Sequence, residues 1–468
     1  MSTQETGENI KSGALKRRSR DRDMTSGNIY KLLLEFALPL LVGNLFQQLY
    51  NTVDTWVLGN YAAKEAFAAI GTISPVFNLF VNTFMGLANG AGVVISNFYG
   101  AGKQDSVKRT VHTAITVAAI CSVFFTAAGL LSMNTLIGFM KPSPEMIPHA
   151  RTYLSIIFRF LTFQIFYNTA AAIMRAVGDS RRPFYFLVIA CVINIALDLY
   201  FVRSLGMGAA GVAYATVIAQ GISAVLAVAT LLRETSCIRF RLKDLCFDRE
   251  IAGKIFRIGI PTAVQMAIVS FSNVFVMSYI NAFGTDFSSG YTAYLKTEML
   301  LFMPLSSISI ATTTFVGQNF GAGNILRAKK GVNASIKISF VPTLLFGIPI
   351  YIFAPAIIAF FNSDPVVVEM GAYCLRFCAP FYMLQCFSLN YASALRGAGD
   401  SFVPMLIQIG CFVVIRQIYL FVMTNYFINT PLAVIAGFPV GWTSGLILNT
   451  IRYFRTDFQA RFDNQNKK

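Results

Sequence analysis

The stretch PLLVGNLFQQLYNTVD, residues 39–54, sets four polar side chains into an otherwise apolar run. These side chains recur at steps of three, four and three, which predicts that they share one face of a helix. They are Asn44, Gln47, Asn51 and Asp54. A carboxylate near the bilayer centre costs roughly 2.5–3.5 kcal/mol. A polar stripe in such a helix must therefore face a water-filled cavity or a polar partner.

A second apolar run, residues 184–201, contains a matching pair. Asn194 and Asp198 lie four positions apart, so they stack on one face of a helix. One interpretation is that the two helices are simply hydrogen-bonded to each other. The other is an ion or proton site, which is the default expectation for acids within membrane spans.

The composition excludes a soluble enzyme and predicts an all-α polytopic membrane protein. The chain has 468 residues, of which 55% are hydrophobic and 13% charged, whereas soluble domains carry about 25% charged residues. The net charge of +16 does not indicate a nucleic-acid partner, because the basic residues lie between apolar runs. No nucleotide-binding, protease or nuclease signature is found, so we expect no enzymatic activity, no cofactor, and transport energy from an ion gradient.

Crossing a bilayer takes about 20 apolar residues, and the sequence predicts twelve such spans. They are 30–59, 69–98, 108–134, 150–174, 183–203, 209–232, 253–283, 289–317, 331–360, 368–395, 402–427 and 432–454. With the amino terminus inside, the outer loops hold only four basic residues, Lys64, Lys141, Arg151 and Arg203. This asymmetry follows the positive-inside rule and predicts a cell-membrane protein with both termini cytoplasmic.

The chain also repeats itself. The Gly-Ala-Gly segment 100–102 recurs at 321–323, and RAVGDSRRP at 175–183 recurs as RGAGDSFVP at 396–404, both after 221 residues. A shared offset for separate motifs indicates an internal duplication. Six spans per half are an even number, so the two halves are parallel repeats around a central cleft. The repeated motifs are expected to form turns and helix caps at the inner membrane surface.

The duplication and the charge pattern together predict the domain boundaries. The polar, basic linker separates two six-helix lobes, and polar segments flank them. The predicted units are a disordered basic cytoplasmic tail (1–28), an amino-terminal lobe (29–232), a linker (233–250), a carboxyl-terminal lobe (251–455) and a cytoplasmic tail (456–468).

The 39–54 stretch and the paired motifs resemble the multidrug and toxic compound extrusion (MATE) family, from about residue 28 to 455. The resemblance implies a V-shaped cleft between two lobes and cation-coupled efflux of amphipathic, often cationic compounds. It also implies an amino-lobe cation site. The residues that match that site are Asp54, Asn194, Asp198 and Thr216. The branch of the family with further acids on spans 7 and 10 is not matched.

Two carboxylates, an amide and a hydroxyl suit either of two ions. They supply oxygen ligands for a hard cation such as Na⁺, or they share a proton when desolvated together. The sequence leaves H⁺ and Na⁺ open, and it predicts no other metal site. Shifted by the repeat offset, these positions become Val276, Ile415 and Tyr419, so we expect the carboxyl-terminal lobe to lack a polar cluster.

The remaining expectations concern the cleft and its contents. Candidate cleft-lining residues are Asn44, Gln47, Asn51, Gln265, Asn273, Glu298, Met266 and Met299. The expected partners are small amphipathic cations and the lipid bilayer, with the protein a monomer. The alternatives are a lipid-linked oligosaccharide flippase of the same superfamily and a non-transporting membrane receptor or scaffold.

Overall fold

The computed structural model describes residues 23–140 and 142–466, and these ranges form helices without strands. The first half contains six membrane-length segments: α1 (Ile29–Tyr61), α2 (Lys64–Gly100), α3 (Gln104–Met140), α4 (Ile147–Arg159 and Leu161–Ala176), α5 (Arg181–Ser204) and α6 (Gly208–Arg233). The second half contains α7 (Arg249–Asn281), α8 (Thr285–Gly321), α9 (Ile325–Ile352), α10 (Pro365–Gly397), α11 (Phe402–Phe427) and α12 (Pro431–Arg455). A short α13 (Phe458–Asn466) follows.

These segments confirm the predicted architecture of twelve helices in two repeats. Ten are long and apolar enough to cross a membrane singly, and the two parts of α4 do so as a pair bent by 48°. Several helices begin earlier than the apolar runs predicted. These helices extend beyond the membrane. The 37 residues of α2 span about 55 Å, whereas the hydrocarbon layer is about 30 Å thick.

Each half of the chain has its own apolar core. Leu154 and Phe158 are buried in the first half, and Tyr294 and Leu375 are buried in the second. The two cores draw on different helices, α1 to α6 and α7 to α12, so each half packs as a separate lobe.

Where α2 crosses α8, the two lobes meet backbone to backbone. Elsewhere apolar side chains join the lobes, in one cluster from α1, α8 and α9 and another from α2, α3 and α7. A Cβ atom at Gly100 would lie 1.9 Å from the Gln318 carbonyl oxygen, and one at Gly321 would lie 1.9 Å from that of Asn97. The two contacts are related by the repeat offset, so the crossing is a pseudo-two-fold axis. Only glycine permits so close an approach of two helices.

Further contacts between the lobes lie on the same side of the membrane. Gly86 packs against Ala263, and Gly90 packs against Gly259, on the half of each helix predicted to face the cytoplasm. Towards the opposite ends of α1, α2, α7 and α8, no hydrogen bond joins the two lobes among the described residues. The lobes are therefore joined at the predicted inner side, and the central cleft opens towards the predicted outer side.

The repeated motifs form turns and caps, as expected. Gly102 and Gly323 have φ values of +70° and +74°, a left-handed conformation that glycine adopts without strain. Asp179 accepts hydrogen bonds from the backbone N–H groups of Arg181 and Arg182, so it caps the start of α5. The motifs thus shape the inner surface of both lobes.

In the second copy, Asp400 holds α12 and α13 to the lobe. Its carboxylate accepts hydrogen bonds from Arg452 at 2.8 Å and Arg461 at 2.9 Å. Burial alone would raise the pKa of Asp400, but the hydrogen bond from Arg452 and the charge of Arg461 outweigh burial and hold this pKa below its usual value. The interaction is therefore present at neutral pH.

The chain before α1 is packed against the carboxyl-terminal lobe from residue 23 onwards. Met24 is fully buried, its N–H donates to Gln318 Oε1 at 2.9 Å, and its carbonyl accepts from Asn319 at 3.1 Å. The predicted disordered tail otherwise falls on residues 1–22, which lie outside the described residues, as do Lys141, Lys467 and Lys468. Of the predicted final tail, the part from 458 to 466 is helical.

The glycine crossing gives a direct prediction. Gly100→Ala and Gly321→Ala should each destabilise the protein by about 1–3 kcal/mol, the usual cost of overpacking, because the added methyl meets a backbone carbonyl. Thermal unfolding in detergent, followed by tryptophan fluorescence, should show a lower Tm for both. Gly138→Ala is the matched control, since its methyl meets nothing within 4 Å. An unchanged Tm in Gly100→Ala would show that the helices do not cross there.

Candidate functional site

Asn194 lies at the centre of a buried polar cluster in the amino-terminal lobe. With its amide oriented to suit the surrounding acceptors, the nitrogen is 2.8 Å from Asp54 Oδ1 and 3.2 Å from Asp198 Oδ2. The amide oxygen accepts from the Thr216 backbone N–H at 3.3 Å. Asn194 and Asp198 are 0% exposed, whereas Asp54 is half-buried. The structure therefore brings together all four residues that the sequence predicted.

Three helices position this cluster. Asn194 and Asp198 lie one turn apart on α5, Asp54 comes from α1, and Thr216 from α6. At Asp198 the α-helix ends, and residues Leu199–Ser204 continue as a π-helical turn. Such wider turns occur often at functional sites because they re-aim the adjacent side chains.

Two tyrosines belong to the cluster, and the sequence analysis missed both. The Tyr50 hydroxyl donates to Thr216 Oγ1 at 3.3 Å and lies against the Asp54 carboxyl group. Tyr153 of α4 is buried within electrostatic range of both carboxylates. Tyr50 could have been found, because it precedes Asp54 by four positions and so sits one helical turn below it. No sequence signal marks Tyr153.

The cluster has an excess of acceptors over positive charge. The ion pairs among the described residues involve neither Asp54 nor Asp198. Asp198 Oδ1 is buried and has no hydrogen-bond partner. Buried carboxylates are stable only when paired, hydrogen-bonded or protonated. The arrangement can therefore take up one further positive charge.

The four polar residues of α1 differ in their contacts and exposure. Asn44 Nδ2 donates to Ser307 Oγ of α8 at 3.2 Å, which joins the lobes. Gln47 and Asn51 are exposed, while Asp54 turns into the amino-terminal lobe. Asn44 and Asp54, at the two ends of the stripe, point in different directions because the ten positions that separate them are not a whole number of helical turns.

Both repeats of the chain match one protein family. The sequence profile of the MatE family matches residues 39–200 and again residues 261–422, one match in each lobe. The chain belongs to the MATE family. The double match agrees with the internal duplication, and it covers the helices that carry Asp54, Asn194 and Asp198. The family is a transporter family, so the multi-pass membrane protein predicted from composition is confirmed.

Relatives of this MATE transporter are similar over most of their length. "Probable multidrug resistance protein YpnP" of Bacillus subtilis is 28% identical over 394 residues, 84% of this chain and 88% of that protein. "Probable multidrug resistance protein NorM" of Thermotoga maritima is 29% identical over 412 residues, 85% of this chain and 86% of that protein. A structure described as the outward-facing conformation of a multidrug resistance MATE family transporter has a TM-score of 0.89. It is 24% identical and covers 95% of this chain and 99% of its own.

The predicted cleft-lining residues of the second lobe differ in their exposure. Asn273 and Met299 are exposed, and Gln265 and Met266 are half-buried. The Oε1 atom of Gln265 is buried without a partner. Glu298 differs from the prediction, because its carboxyl group is directed at tyrosine hydroxyls inside the carboxyl-terminal lobe.

The positions that the repeat offset relates to Asp54, Asn194 and Asp198 are Val276, Ile415 and Tyr419, so the acid cluster is not repeated in the carboxyl-terminal lobe. That lobe contains a different polar group. Glu298 lies against the hydroxyls of Tyr294 and Tyr382, and Arg416 is buried nearby at 1% exposed.

The role of Asn194 as a shared donor can be tested. Asn194→Ala should lower the free energy of unfolding by about 1–3 kcal/mol, because it leaves two buried acceptors unsatisfied. The double variant Asn194→Ala/Asp198→Asn should recover part of this loss, since one charge is removed. Thermal unfolding in detergent measures the cycle. Asn168→Ala is the matched control, because the hydrogen bond that it removes goes to a backbone carbonyl of its own helix. If the effects of the two substitutions in the cycle simply add, Asn194 is not a donor shared by the two acids.

Proposed function

We propose that this MATE transporter is a multidrug exporter that exchanges amphipathic cations for protons. The observation that carries the proposal is the Asp54–Asn194–Asp198 cluster. In it a half-buried and a fully buried carboxylate share one donor and have no cationic partner among the described residues. An intramembrane acid pair of this kind is costly. The pair is absent from the corresponding positions of the second lobe, so building a lobe does not require it.

We take a proton as the coupling ion and Na⁺ as the second candidate. A proton needs only the carboxylates, which can hold it between them as like-charged acids do. Na⁺ would draw on oxygen ligands from the carboxylates, the Asn194 amide and the Thr216 hydroxyl.

The cleft supports the proposed substrate class. The half-buried Asp54 and the exposed side chains of Gln47, Asn51 and Met299 are the residues that we propose to line it. A negative site in an apolar cleft attracts large monovalent cations through burial and charge. Flexible methionines adapt to substrates of different shape, and the relatives named above are described as multidrug resistance proteins.

The lobe contacts suggest how uptake of a proton drives transport. The glycine crossing closes the predicted cytoplasmic side in this conformation, so the cleft and Asp54 are reached from outside. A coupling ion shifts the equilibrium between outward and inward states only by its different affinity for the two. Proton binding at Asp54 and Asp198 provides that difference. In this proposal the protein acts as a monomer in the cell membrane, with both termini in the cytoplasm.

Asp198→Asn tests the proposal because it keeps the size of the side chain and removes one intramembrane charge. Folding should survive or improve, whereas gradient-driven export should fall to background, and so should that of Asp54→Asn. The measurement is flux of a cationic dye in proteoliposomes, with monodispersity as the check on fold.

The matched control is Tyr419→Phe, at the position that the repeat offset relates to Asp198. It removes a hydroxyl from the corresponding helix of the other lobe and should leave flux unchanged. Normal gradient-dependent flux in Asp198→Asn would rule out the proposed coupling site.

A further inference from the structure

A single arginine is buried in the carboxyl-terminal lobe, and the proposed transport cycle does not use it. Arg416, on α11, is 1% exposed. Its Nη2 donates to Ser272 Oγ at 2.6 Å and to Asn273 Oδ1 at 3.0 Å, both on α7. The guanidinium lies 5.2 Å from the Phe412 ring centroid and 5.3 Å from that of Phe438.

The hydrogen bonds of this arginine are incomplete. A guanidinium carries five N–H donors, and the Nε–H of Arg416 is buried without a partner. The ion pairs among the described residues do not include it. The acid in electrostatic range is Glu298, whose carboxyl group is directed at the hydroxyls of Tyr294 and Tyr382. Buried charges are normally paired, and among the described residues no carboxylate is hydrogen-bonded to this guanidinium.

A purely structural role explains the site less well. Gln417 already links α7 to α11. Its amide donates to Ser272 Oγ at 3.0 Å and to the Ser272 carbonyl at 3.2 Å. A neutral side chain therefore joins the helices next to the arginine. The positive charge and the free donor need a different reason.

The site lies just beneath an exposed residue of α7. Asn273, whose Oδ1 accepts from Arg416, is exposed. It follows Gly259, which meets α2, by fourteen residues, about four helical turns. One side chain therefore separates Arg416 from the exposed surface of α7.

We propose that Arg416, Ser272 and Asn273 form an anion subsite that binds the carboxylate of an aromatic solute. A planar guanidinium with a free N–H suits a carboxylate, and the flanking rings of Phe412 and Phe438 suit an adjacent aromatic group. The subsite deepens the proposed function and rests on it, since it assigns zwitterionic amphiphiles to the transported class. Their cationic end faces the acids of the amino-terminal lobe, and their carboxylate faces Arg416.

A matched pair of dyes isolates the carboxylate. Rhodamine B carries one, and its ethyl ester differs by masking it. Fluorescence anisotropy with the full-length protein in detergent gives Kd for both. Arg416→Gln should weaken binding of rhodamine B about tenfold, the expected loss of one charged hydrogen bond, and leave the ester unchanged. Arg416→Lys should retain part of the preference for rhodamine B over its ester. Lysine keeps the positive charge but lacks the planar pair of N–H donors of the guanidinium.

Two further variants keep the test decisive. Should Arg416→Gln not fold, Asn273→Ala and Arg416→Lys must each reduce the ratio of the two dye affinities, or the subsite is refuted. An unchanged ratio in well-folded Arg416→Gln refutes it equally. Asp198→Asn separates this inference from the proposed function, because it should abolish flux while preserving the dye ratio in the binding assay.

Discussion

Two carboxylates in an apolar lobe, with no cationic partner among the described residues, are the constraint on which this structure depends. Asp54 and Asp198 are stable together because the Asn194 amide donates to both and the Tyr50 hydroxyl lies against one of them. Helices α1, α4, α5 and α6 contribute to this arrangement, which includes the π-helical turn after Asp198. In the proposed function, a single added positive charge relieves the remaining repulsion.

That added charge matters only if the lobes can move as units. Each lobe has its own core, and at the α2–α8 crossing the two meet through glycines at which backbone touches backbone. Apolar side chains of α1, α2 and α3 also pack against the other lobe, so a change of angle at the crossing must let these side chains slide or repack. The crossing also lies far along α2 and α8 from the cleft, so a small change of angle there becomes a large opening at the other end. In this account the cluster supplies the bias and the crossing supplies the pivot.

Much of this architecture could be predicted from the sequence, and the reasons are physical. Apolar length and the repeat offset indicate the spans and the duplication, and the polar stripe points to the residues of the buried cluster. The exact partners could not be predicted. Tyr153 joins the cluster through the tertiary packing of α4, and the partners of Arg416 depend on how α7 packs against α11. The close approach of Gly100 to Gln318 likewise depends on tertiary packing, which periodicity does not encode.

The central claim is that the Asp54–Asp198 pair exchanges a proton for substrate, and flux in proteoliposomes under separately imposed gradients tests it most directly. A pH gradient without Na⁺ should drive uptake of a cationic dye by the wild-type protein into vesicles with an acidic interior. A Na⁺ gradient at equal pH should give no uptake above that of empty vesicles. Uptake driven by Na⁺ alone, or equal uptake with no gradient at all, would contradict the account.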